Sequence, residues 1–173
     1  MDDIRFPLGH FQPIDDQTDD GRRALIAEIP GLANRLRKLI ADLPPEQLLV
    51  PYREGGWTIS QIVHHLADND MNAYLRFKRA LTEDEPLASS YREDLWAELP
   101  DYAALPPENS LLLLETLHAR FAALLAELEP AAFGRKLRTQ ALGSVTLDVA
   151  LQRFVWHNRH HRVQIESFLI RGE

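Results

Sequence analysis

Four stretches of this chain repeat their apolar residues every three to four positions, and prolines between them limit where each can run. That spacing marks helices with one face turned to a core. The first stretch spans Asp19 to Leu43, with Leu25, Ile26, Ile29, Leu32, Leu36, Leu39 and Ile40 in register. Pro30 falls inside it and predicts a kink or a restarted helix, because proline removes a backbone donor and crowds the preceding turn. Pro44-Pro45 ends it. The second stretch opens on Thr58, an N-cap with Gln61 as its capping-box partner three residues on. It continues through Ile59, Ile62, Val63, Leu66, Ala73 and Phe77 and ends near Leu81 or Thr82. Gly55-Gly56 in front of it permits a sharp entry. The third runs from Pro107 to Leu128, bounded by Pro130. The fourth is capped by Thr146, places Asp148 in its first turn where negative charge suits the helix dipole, and reaches Ile170.

The gaps are informative too. Residues 1–18 are polar and proline-punctuated, and read as an extended arm. Residues 83–107 show little periodicity, and a connection of about 25 residues is usually functional or a crossover between helices that are not antiparallel neighbours. Residues 131–145 are irregular, with a short hairpin expected around Gly143-Ser144. The expected fold is all-α, a four-helix bundle with one long crossover, forming a single domain over residues 1–173.

Bulk composition removes several function classes. Apolar residues make up 45% of the chain, close to the soluble globular average, which argues against disorder. The formal charge is 19 − 26 = −7 with no dense basic cluster, so neither nucleic acid nor an anionic membrane is an expected partner. With no cysteine there is no disulfide, no thiolate ligand and no cysteine nucleophile, a usage that fits a cytoplasmic protein. The opening MDDIRFPLGH has neither a basic start nor an apolar stretch, and the longest apolar run, Leu111 to Leu114, is too short to span a bilayer. Glycine-rich phosphate loops, a G-x-S-x-G elbow and an HExxH helix are all missing.

The chemistry is carried by histidine. Five of the seven histidines fall in two clusters, His64-His65 in the second stretch and the run WHNRHH with His157, His160 and His161 in the fourth. His157 and His161 are four apart, which sets them side by side on one helix face. Helical phase sorts the rest. His65 falls with Asn69, Asn72 and Arg76 on a polar stripe beside the core face, while His64 points elsewhere with Asp68. His161 falls on the core stripe of the last helix, His157 at its edge, and His160 is turned away. The inward set is therefore His65, His157 and His161. A lone histidine beside an apolar face is more often a hydrogen-bonded core residue than a ligand. Three rings buried together without a shared partner, however, leave several polar nitrogens to satisfy.

Three neutral nitrogens suit zinc, nickel, copper or iron(II) and not magnesium or calcium, which prefer oxygen. Three protein ligands leave a position open for water or substrate, the arrangement of catalytic zinc, and zinc lowers the pKa of water and polarises carbonyls. Metal-assisted hydrolysis is the expected chemistry. Asn69, Asn72 and Arg76 are expected to line the substrate approach, with Arg76 suited to an acidic group. Glu115 and His118 have the Glu-x-x-His spacing of di-iron bundles, but no other histidine has a glutamate three residues before it, so a di-iron centre is not expected. That pair either faces the cavity or is an ordinary helix-surface pair. By phase Asp68 and Asp70 leave the His65 stripe and are expected on the solvated surface. Trp57, Trp96 and Trp156 read as core or interface aromatics.

The segment YREGGWTISQIVHHLADNDMNAYLRFK (Tyr52 to Lys78), together with VWHNRHHRVQI (Val155 to Ile165), resembles the DinB-like superfamily, closest to its YfiT-type branch of metal-dependent hydrolases. The opening FPLGHFQP and the middle EDEP…YREDLWAEL are similar to that branch as well, so the likeness covers nearly the whole chain. The resemblance implies a four-helix bundle that binds one divalent ion per subunit, zinc foremost or nickel, through His65, His157 and His161. It further implies a homodimer acting on a small-molecule substrate. The superfamily includes S-transferases that use bacillithiol or mycothiol, which makes a low-molecular-weight thiol an alternative co-substrate. A non-catalytic stress or binding protein stabilised by its metal is a further alternative. Where the superfamily often carries another histidine after the last ligand, this chain has VQI with Gln164, which removes that histidine from any proton relay.

Overall fold

Local chemistry sets the helix limits. In the computed structural model, which describes residues 2–140 and 143–172, a single turn α1 (Asp2–Arg5) precedes the arm. The first predicted helix is broken at its proline into α2 (Asp19–Glu28), a 3-10 turn over Ile29–Gly31, and α3 (Leu32–Ile40). A short α4 (Pro45–Leu48) leads to Gly55, whose φ of +62° is the left-handed turn that reverses the chain. Helix α5 (Ile59–Thr82) then starts on the expected capping box. Thr58 Oγ1 accepts from Gln61 N at 3.1 Å, and Gln61 Oε1 accepts from Thr58 N at 3.0 Å.

The crossover is not structureless. It holds α6 (Glu93–Trp96) and α7 (Pro100–Ala104) before α8 (Pro107–Ala126) begins. After a 3-10 turn at Pro130–Gly134, strands β1 (Lys136–Thr139) and β2 (Gly143–Thr146) pair antiparallel, from Lys136↔Thr146 to Thr139↔Gly143. The hairpin expected there is present; residues 141 and 142 lie outside the described residues. Arg138 of β1 donates its N–H to Pro86 O, and Ala88 donates back to Arg138 O, so the crossover is stitched to the hairpin. Helix α9 (Leu147–Arg171) follows, with Thr146 Oγ1 accepting from Val149 N.

The protein is a four-helix bundle built from α2–α3, α5, α8 and α9. Helices α3 and α5 each pack against both α8 and α9, so the first and second long helices are diagonal to one another. Two apolar clusters fill the interior. One joins Ile59, Ile62, Val63 and Leu66 of α5 to Leu111 and Leu114 of α8 and Ile165 and Phe168 of α9. The other joins Phe77, Phe121, Leu151 and Phe154. Between them along each helix come buried polar residues: His65 and Asp70 on α5, His118 on α8, Asn158 and His161 on α9. A polar layer therefore crosses the bundle at mid-height. The arm lies against the same helix, with Phe11 on Trp156, Phe6 on His160 and the Ile14 amide donating to Gln152 Oε1 at 2.8 Å. Among the described residues no helix is long and apolar enough to cross a membrane.

Candidate metal centre

Helix α5 carries His65 and helix α9 carries His157 and His161 into this layer, one turn apart as their spacing requires. The three rings meet. His157 Nε2 lies 3.2 Å from His161 Nε2 and 3.4 Å from His65 Nε2. The three ligand atoms all fall within 4.8 Å of one another, and no other group of three such residues was found among the described residues. Trp57, at the turn before α5, packs its ring 4.5 Å from that of His65 and 6.3 Å from that of His161. Burial lowers the pKa of all three rings, to about 4 for His65 and well below the ordinary value for His157 and His161. In lesser part the charge of His65 also opposes protonation of His157 and His161, and that of His161 opposes protonation of His157. All three are therefore neutral near pH 7, the form in which imidazole ligates.

Neighbouring amides fix the tautomers. Gln164 donates its Nε2–H to the Arg5 carbonyl at 2.7 Å, which turns its Oε1 toward His161. His161 then donates Nδ1–H to that oxygen at 2.8 Å and presents a bare Nε2 lone pair to the centre. Asn69 places its amide nitrogen 3.2 Å from His157 Nδ1 and 3.1 Å from Asp70 Oδ1. So oriented, His157 keeps its proton on Nε2 and can give it to only one of the two facing rings. Whichever ring receives it, the other is left without that donor, and His65 Nδ1 is buried with no hydrogen-bond partner. Hydrogen bonds alone do not satisfy this centre, whereas a cation accepts all three lone pairs at once. The residues fit a divalent ion. For His157 to join, its proton moves to Nδ1 and the Asn69 amide turns its oxygen toward it, an exchange of near-isosteric groups.

Around the trio the outcomes differ from the sequence expectations. Asp70, expected on the surface, is wholly buried, and its carboxyl accepts from His118 Nε2 at 2.7 Å and from Asn158 Nδ2 at 3.0 and 3.1 Å. The cause is that α5 packs on both α8 and α9, so it buries two faces where the phase argument allowed one. Asp68 is half-buried and accepts the Tyr102 hydroxyl at 2.6 Å; burial raises its pKa. The Glu115–His118 pair splits. Glu115 is exposed and meets Arg37, while His118 is fully buried on Asp70. His64 and His160 do point away from the trio yet are buried, against Ser110 and Gln164 respectively.

A cavity of about 600 Å³ opens beside the centre between α5, α9, the crossover and the hairpin. His157, Asn69 and Arg76 line it, as do Tyr91, Arg153 and Phe154. Asn72 does not, since its amide donates to the Asp68 carbonyl of its own helix at 2.8 Å. Tyr91 opens the YREDLWAEL segment but was not singled out as a site residue, because it lies in the aperiodic crossover where no helical phase gives its direction. Arg153 had one, standing four residues before His157.

The sequence pattern of the DinB superfamily matches residues 31–165, which includes all three histidines. This chain belongs to the DinB superfamily. A Geobacillus kaustophilus member, provisionally named a metal-dependent hydrolase, is 46% identical over 168 residues, covering 96% of this chain and 94% of its own. Among solved DinB-like structures, YfiT of Bacillus subtilis superposes with a TM-score of 0.95 at 36% identity, covering 98% of this chain and 97% of that one. It is described as a probable metal-dependent hydrolase with an unusual four-helix bundle topology. A mycothiol-dependent maleylpyruvate isomerase shares the fold alone, at a TM-score of 0.69 and 18% identity over 90% of this chain and 63% of that one.

Proposed function

We propose that this DinB protein is a hydrolase in which His65, His157 and His161 hold one divalent ion that activates water against a small substrate in the adjoining cavity. The spacing of the Nε2 atoms carries the reading. Zinc–nitrogen bonds of about 2.0–2.1 Å in a tetrahedron put neighbouring nitrogens about 3.3 Å apart, and the two closest separations are 3.2 and 3.4 Å. Zinc is accordingly the ion favoured, with nickel the alternative. Such an ion supplies Lewis acidity, lowering the pKa of water and polarising a substrate carbonyl. The chain's own groups do the rest. Gln164 holds the His161 lone pair inward, Asn69 orients His157 from the cavity side, and Trp57 covers His65 and His161. Asn69 and Arg76 line the approach for the substrate.

The absence of cysteine and the net charge of −7 support a cytoplasmic setting for a single-domain chain. Exposed Leu95, Leu99 and Leu105 in the crossover, with Leu112 and Leu113 on α8, offer apolar surface for a homodimer. A second reading, thiol S-transfer, draws on the fold shared with the mycothiol-dependent isomerase. Since the chain has no cysteine, the thiol must come from solution.

Elemental analysis of wild type and His161→Ala tests the ion: one per chain in the first and near none in the second is expected, and equal content in both refutes the site. Turnover of generic esters by metal-loaded protein without added thiol supports hydrolysis. Strict dependence on bacillithiol, with monochlorobimane as electrophile, transfers the assignment to the second reading.

A further inference from the structure

The cavity beside the histidines holds two arginines that no carboxylate neutralises. Arg76 on α5 donates to the Ser89 carbonyl, while its Nε is buried with no hydrogen-bond partner. Arg153, one turn before His157 on α9, lines the same cavity and makes no hydrogen bond or ion pair among the described residues. Many other arginines of the chain are matched: Arg22 with Asp148, Arg37 with Glu108, Arg79 with Glu83, Arg159 with Glu28. Burial, and in lesser part the charge of Arg153, hold the Arg76 guanidinium below its ordinary pKa, so the two cations oppose each other across the cavity. A third donor is idle there. The Tyr91 hydroxyl is buried without a partner, and burial raises its pKa, which keeps it protonated.

The carboxylates nearby leave this charge uncancelled. Asp94 is bound by Arg92, and Glu93, which draws on Arg153 only at longer range, is exposed and forms no ion pair among the described residues. Guanidinium groups present paired N–H donors that match the oxygens of a carboxylate or a phosphate. Two of them, with a phenol, in a cavity of about 600 Å³ describe a site for an oxyanion on a molecule of ordinary ligand size.

We propose that this cavity selects a negatively charged substrate: a small carboxylate or phosphate ester seats its oxyanion between Arg76 and Arg153, with the Tyr91 hydroxyl as a third donor. Its reacting end is thereby set beside His157. The oxyanion site stands on the arginines alone; its use in orienting a substrate rests on the hydrolytic reading above.

Isothermal titration of the metal-loaded protein with succinate, glycerol 3-phosphate and the neutral succinamide tests the site. The two dianions bind and succinamide does not, and the tighter dianion identifies the carboxylate or the phosphate as the source. Arg153→Gln and Arg76→Gln each weaken dianion binding about tenfold or more, the size expected for lost hydrogen bonds to a charged group. Arg153 is exposed, so its variant folds and keeps the wild-type metal content. Glu93→Gln tightens binding by removing the competing charge. His161→Ala, freed of metal, still binds the dianion. Such binding in a wild type that proves to hold no metal keeps the oxyanion site and removes only its hydrolytic use. Equal binding of succinamide, no dianion binding at millimolar concentration, or loss in His161→Ala with both arginine variants unaffected overturns the proposal.

Discussion

Replacing Asp70 by alanine probes the polar layer that supports the histidines. The wild-type carboxyl is fully enclosed and receives His118 Nε2 at 2.7 Å, Asn158 Nδ2 at 3.0 and 3.1 Å, and Asn69 Nδ2 at 3.1 Å. Without it Asn158 keeps the Phe154 carbonyl at 3.2 Å and Asn69 keeps His157, but His118 Nε2 keeps nothing, and its Nδ1 already lacks a partner. An orphaned buried donor costs about 1–3 kcal/mol and each hydrogen bond to a charged group about 1.5–3. These losses overlap, so the expected destabilisation is about 3–5 kcal/mol, the range for breaking a buried charged network. At about 2–4 °C per kcal/mol for a chain of this size, Tm falls by about 6–20 °C. Thermal circular dichroism of the metal-free protein measures it. The double variant Asp70→Leu with His118→Leu removes donor and acceptor together and should recover at least half of that loss. A fall below about 3 °C in Asp70→Ala, or a double variant as unstable as the summed single variants, refutes the account.

Other expectations follow from the same geometry. Burial holds His65 at a pKa of about 4 and the other two rings well below their ordinary value, against about 6.5 in the unfolded chain. Below pH 6.5 the unfolded chain binds protons that the folded chain refuses, so metal-free stability declines from about pH 6.5 toward pH 4, with His65 alone contributing about 3 kcal/mol. A Tm that stays flat between pH 7 and 5 contradicts this. Gln164→Leu deprives the His161 Nδ1–H of its acceptor and should weaken metal affinity about 10- to 100-fold, as read by competition with a chelating dye. Thr58→Ala removes the side-chain half of the α5 cap and should cost about 1 kcal/mol, a small Tm shift that leaves metal stoichiometry unchanged.

Much of this arrangement was legible in the chain itself, and the omissions share a cause. Thr58 with Gln61, Thr146, Pro30 and Pro107 announce helix limits through local hydrogen bonding and sterics, which operate within a few residues. His65, His157 and His161 were separable from His64 and His160 because helical phase fixes direction, and the rings do converge. Asp70 was misjudged and His118 left open because phase says which way a side chain points but not how many neighbours the helix has. With α8 on one side of α5 and α9 on the other, the direction taken for solvent is interior. Tyr91 illustrates the second limit. It reaches the cavity only because Pro86 and Ala88 are tied to Arg138 of the hairpin, a pairing between segments some fifty residues apart that has no period to reveal it.

Gln164 joins two parts of the molecule that look independent. One amide nitrogen reaches the Arg5 carbonyl and the Tyr52 hydroxyl, while its oxygen sets the proton position of His161. Thermodynamic coupling runs both ways. Detaching the segment around Arg5 relaxes the grip on an ion, and loading the ion must in turn slow hydrogen exchange in the N-terminal arm, far along the chain from any of the three rings.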